Sequence, residues 1–123
     1  MEDLTILLCL KDRKNFTKRW LDWMVEEKCP FNILIADGDK DKSFTKNLLI
    51  NSKYKDLNIS YKEYPEDISI QNFVNKFNDA VSSIRTEYMI CADNDDFVLI
   101  ENLRKAIEIF KKNKQVETLE LSH

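Results

Sequence analysis

A chain of 123 residues with 43% hydrophobic and 33% charged side chains is long enough for one substantial core and too apolar to stay disordered. Its 22 acidic and 19 basic residues give a net charge of −3, which removes the electrostatic basis for nonspecific nucleic-acid binding. A single domain over 1–123 is expected, with no apolar run of membrane-spanning length and no signal-peptide pattern.

Leu4–Leu10 (LTILLCL) is almost continuously apolar, as a strand covered on both faces should be. A helix is predicted over 15–28, where Phe16, Trp20, Trp23 and Met24 fall near helical spacing and Pro30 closes the segment. A second buried strand follows at 32–36 (NILIA), then a charged loop at 37–42 and a helix over 43–51 with Ser43 as its N-cap. The alternating stretch 57–61 predicts a third, less buried strand, and Pro65 marks a turn at 64–67. The strongest helical pattern spans 69–84, with Phe73, Val74, Phe77, Ala80, Val81 and Ile84 on one apolar face. A buried fourth strand is expected at 88–92 and a helix over 100–112 that buries Leu103, Ile107 and Phe110. The stretch 116–121 reads either as a fifth strand or as a tag remnant.

Cys9, Cys29 and Cys91 are odd in number and far apart, without a Cys-x-x-Cys pair, so neither a zinc knuckle nor a disulfide framework is supported. Cys9 and Cys91 lie in apolar strand-like runs and are expected to be buried. These features favour a reducing, cytoplasmic setting. The lone histidine, His123, leaves no basis for a Ser-His-Asp triad or a histidine metal site. With Gly38 the only glycine, no glycine-rich phosphate cradle can be written either.

The run Tyr88 to Phe97 (YMICADNDDF) ends an apolar segment in three carboxylates within four positions. On extended backbone Asp93 and Asp95 project the same way, so their charges repel unless something offsets them. A divalent cation would do so, since hard cations take carboxylate oxygens. A solvated acidic turn capping the next helix is the alternative. Strands alternating with helices imply right-handed crossovers and a mainly parallel sheet, whose ligands bind beyond the carboxyl ends of the strands. Asp12, Asp37 and the acids at 93–96 each follow a different strand, so all of them should gather at that rim, around a common cation.

In this order and spacing the segments resemble the nucleotide-binding half of a family 2 glycosyltransferase with the GT-A fold. Residues 4–13 (LTILLCLKDR) are similar to the family's opening strand, 33–39 (ILIADGD) to its second strand and Asp-Gly-Ser-like turn, and 86–97 (TEYMICADNDDF) to its Asp-x-Asp strand. The resemblance implies a Rossmann-like three-layer α/β sandwich, truncated before the acceptor-binding half. It also implies a nucleotide-diphosphate sugar as ligand and Mn²⁺ or Mg²⁺ as cofactor. Asp37 would accept a hydrogen bond from the base. Cys9, Leu10, Asp12 and Arg13 would line the base pocket. Asp93 would meet the ribose or the metal, and Asp95 would be the main metal ligand. Lys76, on the hydrophilic side of the long helix, would face the nucleotide. The catalytic base would lie beyond this chain, and the acceptor (glycan, lipid-linked or protein) stays open, as does a peripheral position at the membrane. The sequence departs from the family at Cys9-Leu10-Lys11, where small residues or Pro-Thr are usual, and at Asp39, where Ser is common.

Plainer readings exist for single residues. Asp37 before Gly38 is a turn signal, Lys76 a solvated helix residue, and Arg13 a partner for a neighbouring acid. Phe97 would anchor the acidic loop by filling the core below it. For the whole chain the alternatives are a truncated module that binds nucleotide without turnover, or a receiver-like phosphoacceptor domain. The latter wants an acidic pair after the first strand, whereas Asp12 stands alone and the acidic cluster follows the fourth.

Overall fold

The computed structural model describes residues 3–113; the expected fifth strand at 116–121 lies outside them. Four strands, β1 (Leu4–Leu10), β2 (Asn32–Asp37), β3 (Asn58–Glu63) and β4 (Tyr88–Ala92), form one sheet in the order β3-β2-β1-β4. Every pairing is parallel, with Leu10 opposite Asp37 and Asp37 opposite Glu63. The helices are α1 (Lys14–Glu26), α2 (Ser43–Leu49), α3 (Ile70–Ser82) and α4 (Ile100–Lys112), with a short 3₁₀ turn at Ser52–Tyr54. The architecture is the expected three-layer α/β sandwich.

The alternation of β1 divides the core. Leu4, Ile6, Leu8 and Leu10 point to the face covered by Trp20, Leu21 and Met24 of α1 and by Ile100, Leu103 and Ile107 of α4. Leu7 points to the other face, where it meets Leu34, Ala36 and Ala80, with Cys9, Phe77, Val81 and Ile84 packed around them. Central strands β1 and β2 are therefore covered on both sides, which is why they read as almost continuously apolar runs.

Three expectations fail at the margins. First, β4 is an edge strand: Tyr88, Ile90 and Ala92 face the larger core, while Met89 and Cys91 are exposed because α3 lies over β1 and β2 instead. Cys91 is thus not a buried thiol, and Cys9 is half-buried. Second, Phe73 and Val74 are exposed, because the N-terminal half of α3 projects beyond the sheet; only its C-terminal half packs. Third, Ser43 does not cap α2. Asp41 Oδ1 accepts from the Ser43 backbone N–H at 3.0 Å and its hydroxyl at 2.6 Å, so the acid two residues earlier organises that helix start. Ser69 does cap α3, accepting from the Asn72 N–H at 3.2 Å.

Candidate functional site

The carboxyl ends of β1 and β4 open onto a cleft of about 690 Å³. Cys9, Lys11 and Arg13 line it from the β1–α1 turn, and Asp93, Asn94 and Asp95 from the loop after β4. The third wall comes from the β3–α3 segment and α3 itself: Asp67, Ile68, Ser69, Ile70, Phe73 and Lys76.

The cleft floor is polar and built. Lys76 is 1% exposed and donates from Nζ to the Leu10 carbonyl at 3.0 Å, while also pairing with the Asp67 carboxylate, itself 2% exposed. Lys76 is therefore not on a hydrophilic helix face. Its partner arrives from the loop before α3, and the lysine shares the inward side of the helix with half-buried Phe77 and buried Ala80. The Leu10 carbonyl also accepts from the Gly38 N–H at 2.9 Å, and Asp67 N–H donates to the Gly38 carbonyl at 3.0 Å. Strand pairing thus continues past the ends of β1 and β2 into the site.

Asp37 lies at the expected rim, yet it is fully buried and is not among the cleft-lining residues. Its Oδ1 accepts from the Asp39 N–H at 2.9 Å and its Oδ2 from the Tyr61 hydroxyl. Burial, and then Asp37 as acceptor, push the Tyr61 phenol far up, so this hydroxyl stays a donor. Asp39 is buried beside it and accepts from the Asp12 N–H through Oδ1, with Oδ2 unpartnered. Desolvation raises the Asp39 carboxyl from the ordinary carboxylate range to about 6, and the nearby Asp37 charge adds to the rise.

The acids after β4 are arranged differently. One carboxylate oxygen from each of Asp93, Asp95 and Asp96 lies within 4.8 Å of the others. A Mg²⁺ ion holds oxygens at about 2.1 Å, so any two of its ligands lie within about 4.2 Å of each other. The three groups, two exposed and one half-buried, are grouped somewhat more loosely than that. Their oxygens are of the kind that a hard divalent cation takes. Arg13 Nη1 pairs with Asp95 Oδ2 at 2.9 Å, placing a cationic group where an ion would otherwise balance the charge.

Of the residues singled out from sequence, Cys9, Arg13, Lys76, Asp93 and Asp95 meet in the cleft; Leu10 contributes its carbonyl to the floor, and Asp12 its backbone to the turn. Asp37 does not share a centre with the acids at 93–96. Lys11, Asp39, Asp67, Asn94 and the cleft-wall residues Ile68, Ser69, Ile70 and Phe73 were not singled out as site members, and Asp96 was read as part of the acidic run but not as a ligand. Asp96 was visible as the third acid of its run. Asn94 carries no local signal, because its partners lie 77 or more positions away, and the Asp67–Lys76 spacing of nine is not one that a helix or strand pattern singles out. Phe97 is 45% exposed and packs edge-on to Trp23, with ring centroids 5.2 Å apart, instead of filling the core. Buried Val98 takes that place, and its carbonyl accepts from Trp23 Nε1 at 2.8 Å.

No family model and no curated protein matches the sequence. Solved structures do match the fold. A crystal structure of S. aureus TarS 1–349 superposes with a TM-score of 0.70 at 14% identity, covering 90% of this chain and 33% of that one. The same S. aureus protein in complex with UDP gives a TM-score of 0.68 at 13% identity, with 90% and 32% covered. The chain spans about a third of the length of these structures, and what it shares with them is a GT-A-like α/β fold.

Proposed function

We propose that the chain binds a nucleotide-diphosphate sugar in a cation-dependent manner and forms the donor-binding part of a glycosyltransferase of the family 2 type. The observation that carries this reading is the pairing, within one cleft, of an acidic triad able to hold a hard cation with Arg13 beside it. The TarS complex with UDP supports it, because that relative of the fold holds a nucleoside diphosphate. Breaking the bond between an anomeric carbon and a diphosphate places growing negative charge on the leaving group. A bound Mn²⁺ or Mg²⁺ would supply the Lewis acid that stabilises this charge more in the transition state than in the ground state.

The chain's own residues would divide the work. Asp95 and Asp93, with Asp96, hold the cation. Arg13, released from Asp95, turns its guanidinium to the diphosphate oxygens, which it suits geometrically. Cys9 and the aliphatic and aromatic side chains at Ile68, Ile70 and Phe73 give the base an apolar wall. Lys76 and Asp67 fix the floor, and Asp37 and Asp39 hold the second-strand turn and Asp12 in position. No described residue is assigned as the base that would activate an acceptor hydroxyl. Three free cysteines support a reducing, cytoplasmic setting for the same activity.

Calorimetry of UDP binding with Mn²⁺ and with a chelator tests the proposal. Binding should require Mn²⁺ and be lost in Asp95→Ala. Equal affinity with Mn²⁺ and with chelator would remove the metal from the site. A second reading is nucleotide binding without transfer. UDP binding without any turnover of UDP-sugars would decide for it.

A further inference from the structure

Asn94 stands between the two exposed acids Asp93 and Asp95, but its own side chain points inward and is 7% exposed. Its amide nitrogen lies 3.0 Å from Thr17 Oγ1, 3.2 Å from the Arg13 carbonyl and 3.4 Å from the Asp12 carbonyl. Backbone carbonyls only accept, so it is the NH₂ end of the amide that must face them. Asp12 and Arg13 are both in the left-handed region, with φ of 66° and 62°. For residues other than glycine that conformation is disfavoured, more so for Arg13 than for Asp12, and persists where surrounding contacts enforce it. Here the enforcing contacts are the Asn94 amide, the Asp39 carboxylate on the Asp12 N–H, and the first turn of α1, where Phe16 and Thr17 N–H groups donate to the Arg13 carbonyl. The turn that they hold carries Arg13, whose guanidinium returns to Asp95 on the acidic loop. An aspartate at position 94 would set carboxylate oxygens against two carbonyls, which explains why the run of acids is interrupted by an amide.

We propose that Asn94 is a positioning residue that joins the β1–α1 turn to the acidic loop, so that cation and nucleotide are bound by one rigid unit. The inference rests on the cation-dependent nucleotide binding proposed above. Asn94 touches neither ligand in this scheme; it acts through Arg13 on the nucleotide and through its neighbours Asp93 and Asp95 on the ion. Thr17, on α1 and outside the cleft-lining set, is the receiving end of the same clamp.

The test measures Mn²⁺ affinity without nucleotide, by electron paramagnetic resonance, and UDP affinity with saturating Mn²⁺, by calorimetry, on the full chain. Asn94→Ala keeps all three carboxylates and should weaken both by about tenfold or more, as losses of groups that orient metal ligands do. Thr17→Val should reproduce part of the loss, and Thr17→Ser, which keeps the hydroxyl, should restore wild-type values. Wild-type affinities in Asn94→Ala and Thr17→Val, with only a lower unfolding temperature, would overturn the proposal. Should Asn94→Ala fail to fold, Thr17→Val and Thr17→Ser decide it alone. Failure of the wild-type chain to bind UDP with Mn²⁺ is a different result: it rejects the underlying function, and this inference with it.

Discussion

Gly38 and Asp67 compete for one volume. A Cβ on residue 38 would stand 2.7 Å from Asp67 Cγ and 2.8 Å from each of its carboxylate oxygens. The glycine is kept here by a side chain from another loop, not by backbone conformation, since its φ is not positive. Asp67 cannot easily move aside, because the buried Lys76 pairs with it.

Gly38→Ala should therefore destabilise the fold by about 1–3 kcal/mol, the usual range for overpacking. Urea unfolding measures this directly. A change below about 0.5 kcal/mol, the scatter of neutral surface substitutions, would mean that the carboxylate has room to shift.

Removing one partner of the Lys76–Asp67 pair leaves a buried charge uncompensated. Lys76→Met should cost about 3–5 kcal/mol, whereas the double variant Lys76→Met/Asp67→Leu should recover most of that loss. A double-mutant cycle from denaturant curves gives the coupling. Additive losses would show that the two groups do not depend on each other.

Asp39 makes stability fall as pH rises. Its carboxyl titrates near 6 in the folded chain, above its ordinary value of 3.8, because burial favours the neutral form. Between those two values the folded state binds the extra proton, so the stabilising contribution is complete at low pH and is lost through pH 6. Asp39→Asn keeps an acceptor for the Asp12 N–H and removes the titration. Its stability relative to wild type should rise by on the order of 2 kcal/mol from pH 4 to pH 8. Unfolding curves at both pH values check the sign; a gain that shrinks with pH would contradict it.

Arg13→Gln should separate folding from binding. The Arg13–Asp95 pair is more than two-fifths exposed on both sides, so its loss should change stability by less than about 1 kcal/mol. If Arg13 grips the diphosphate, the same variant should bind UDP several-fold more weakly while its affinity for uridine stays unchanged. Parallel titrations with the two ligands distinguish a phosphate contact from a general disturbance of the turn.

Much of this molecule is legible in one dimension, and the misses share a cause. Leu4–Leu10 and the run after Asn32 could be read as central strands because both faces of each are covered, leaving only Thr5 as a polar position within them. Met89 and Cys91 misled because an apolar residue on an uncovered edge face looks the same in sequence as one in the core. Phe73 and Val74 misled for the same reason at the overhanging end of α3. Periodicity tells which residues share a face, but not whether anything lies on it.

The order of elements, the parallel sheet and the carriage of acids to its carboxyl rim were fixed by local pattern, since strand length, helix spacing and crossover handedness act within short stretches. The sorting of those acids was decided only in three dimensions. Asp37 sank beneath Tyr61, Asp67 took the buried lysine, Asp39 caught the Asp12 amide, and Asp93, Asp95 and Asp96 stayed at the surface around one centre. A carboxylate's role depends on which donors face it and how much water it keeps, and those donors come from 24, 9 and 27 positions away in the first three cases.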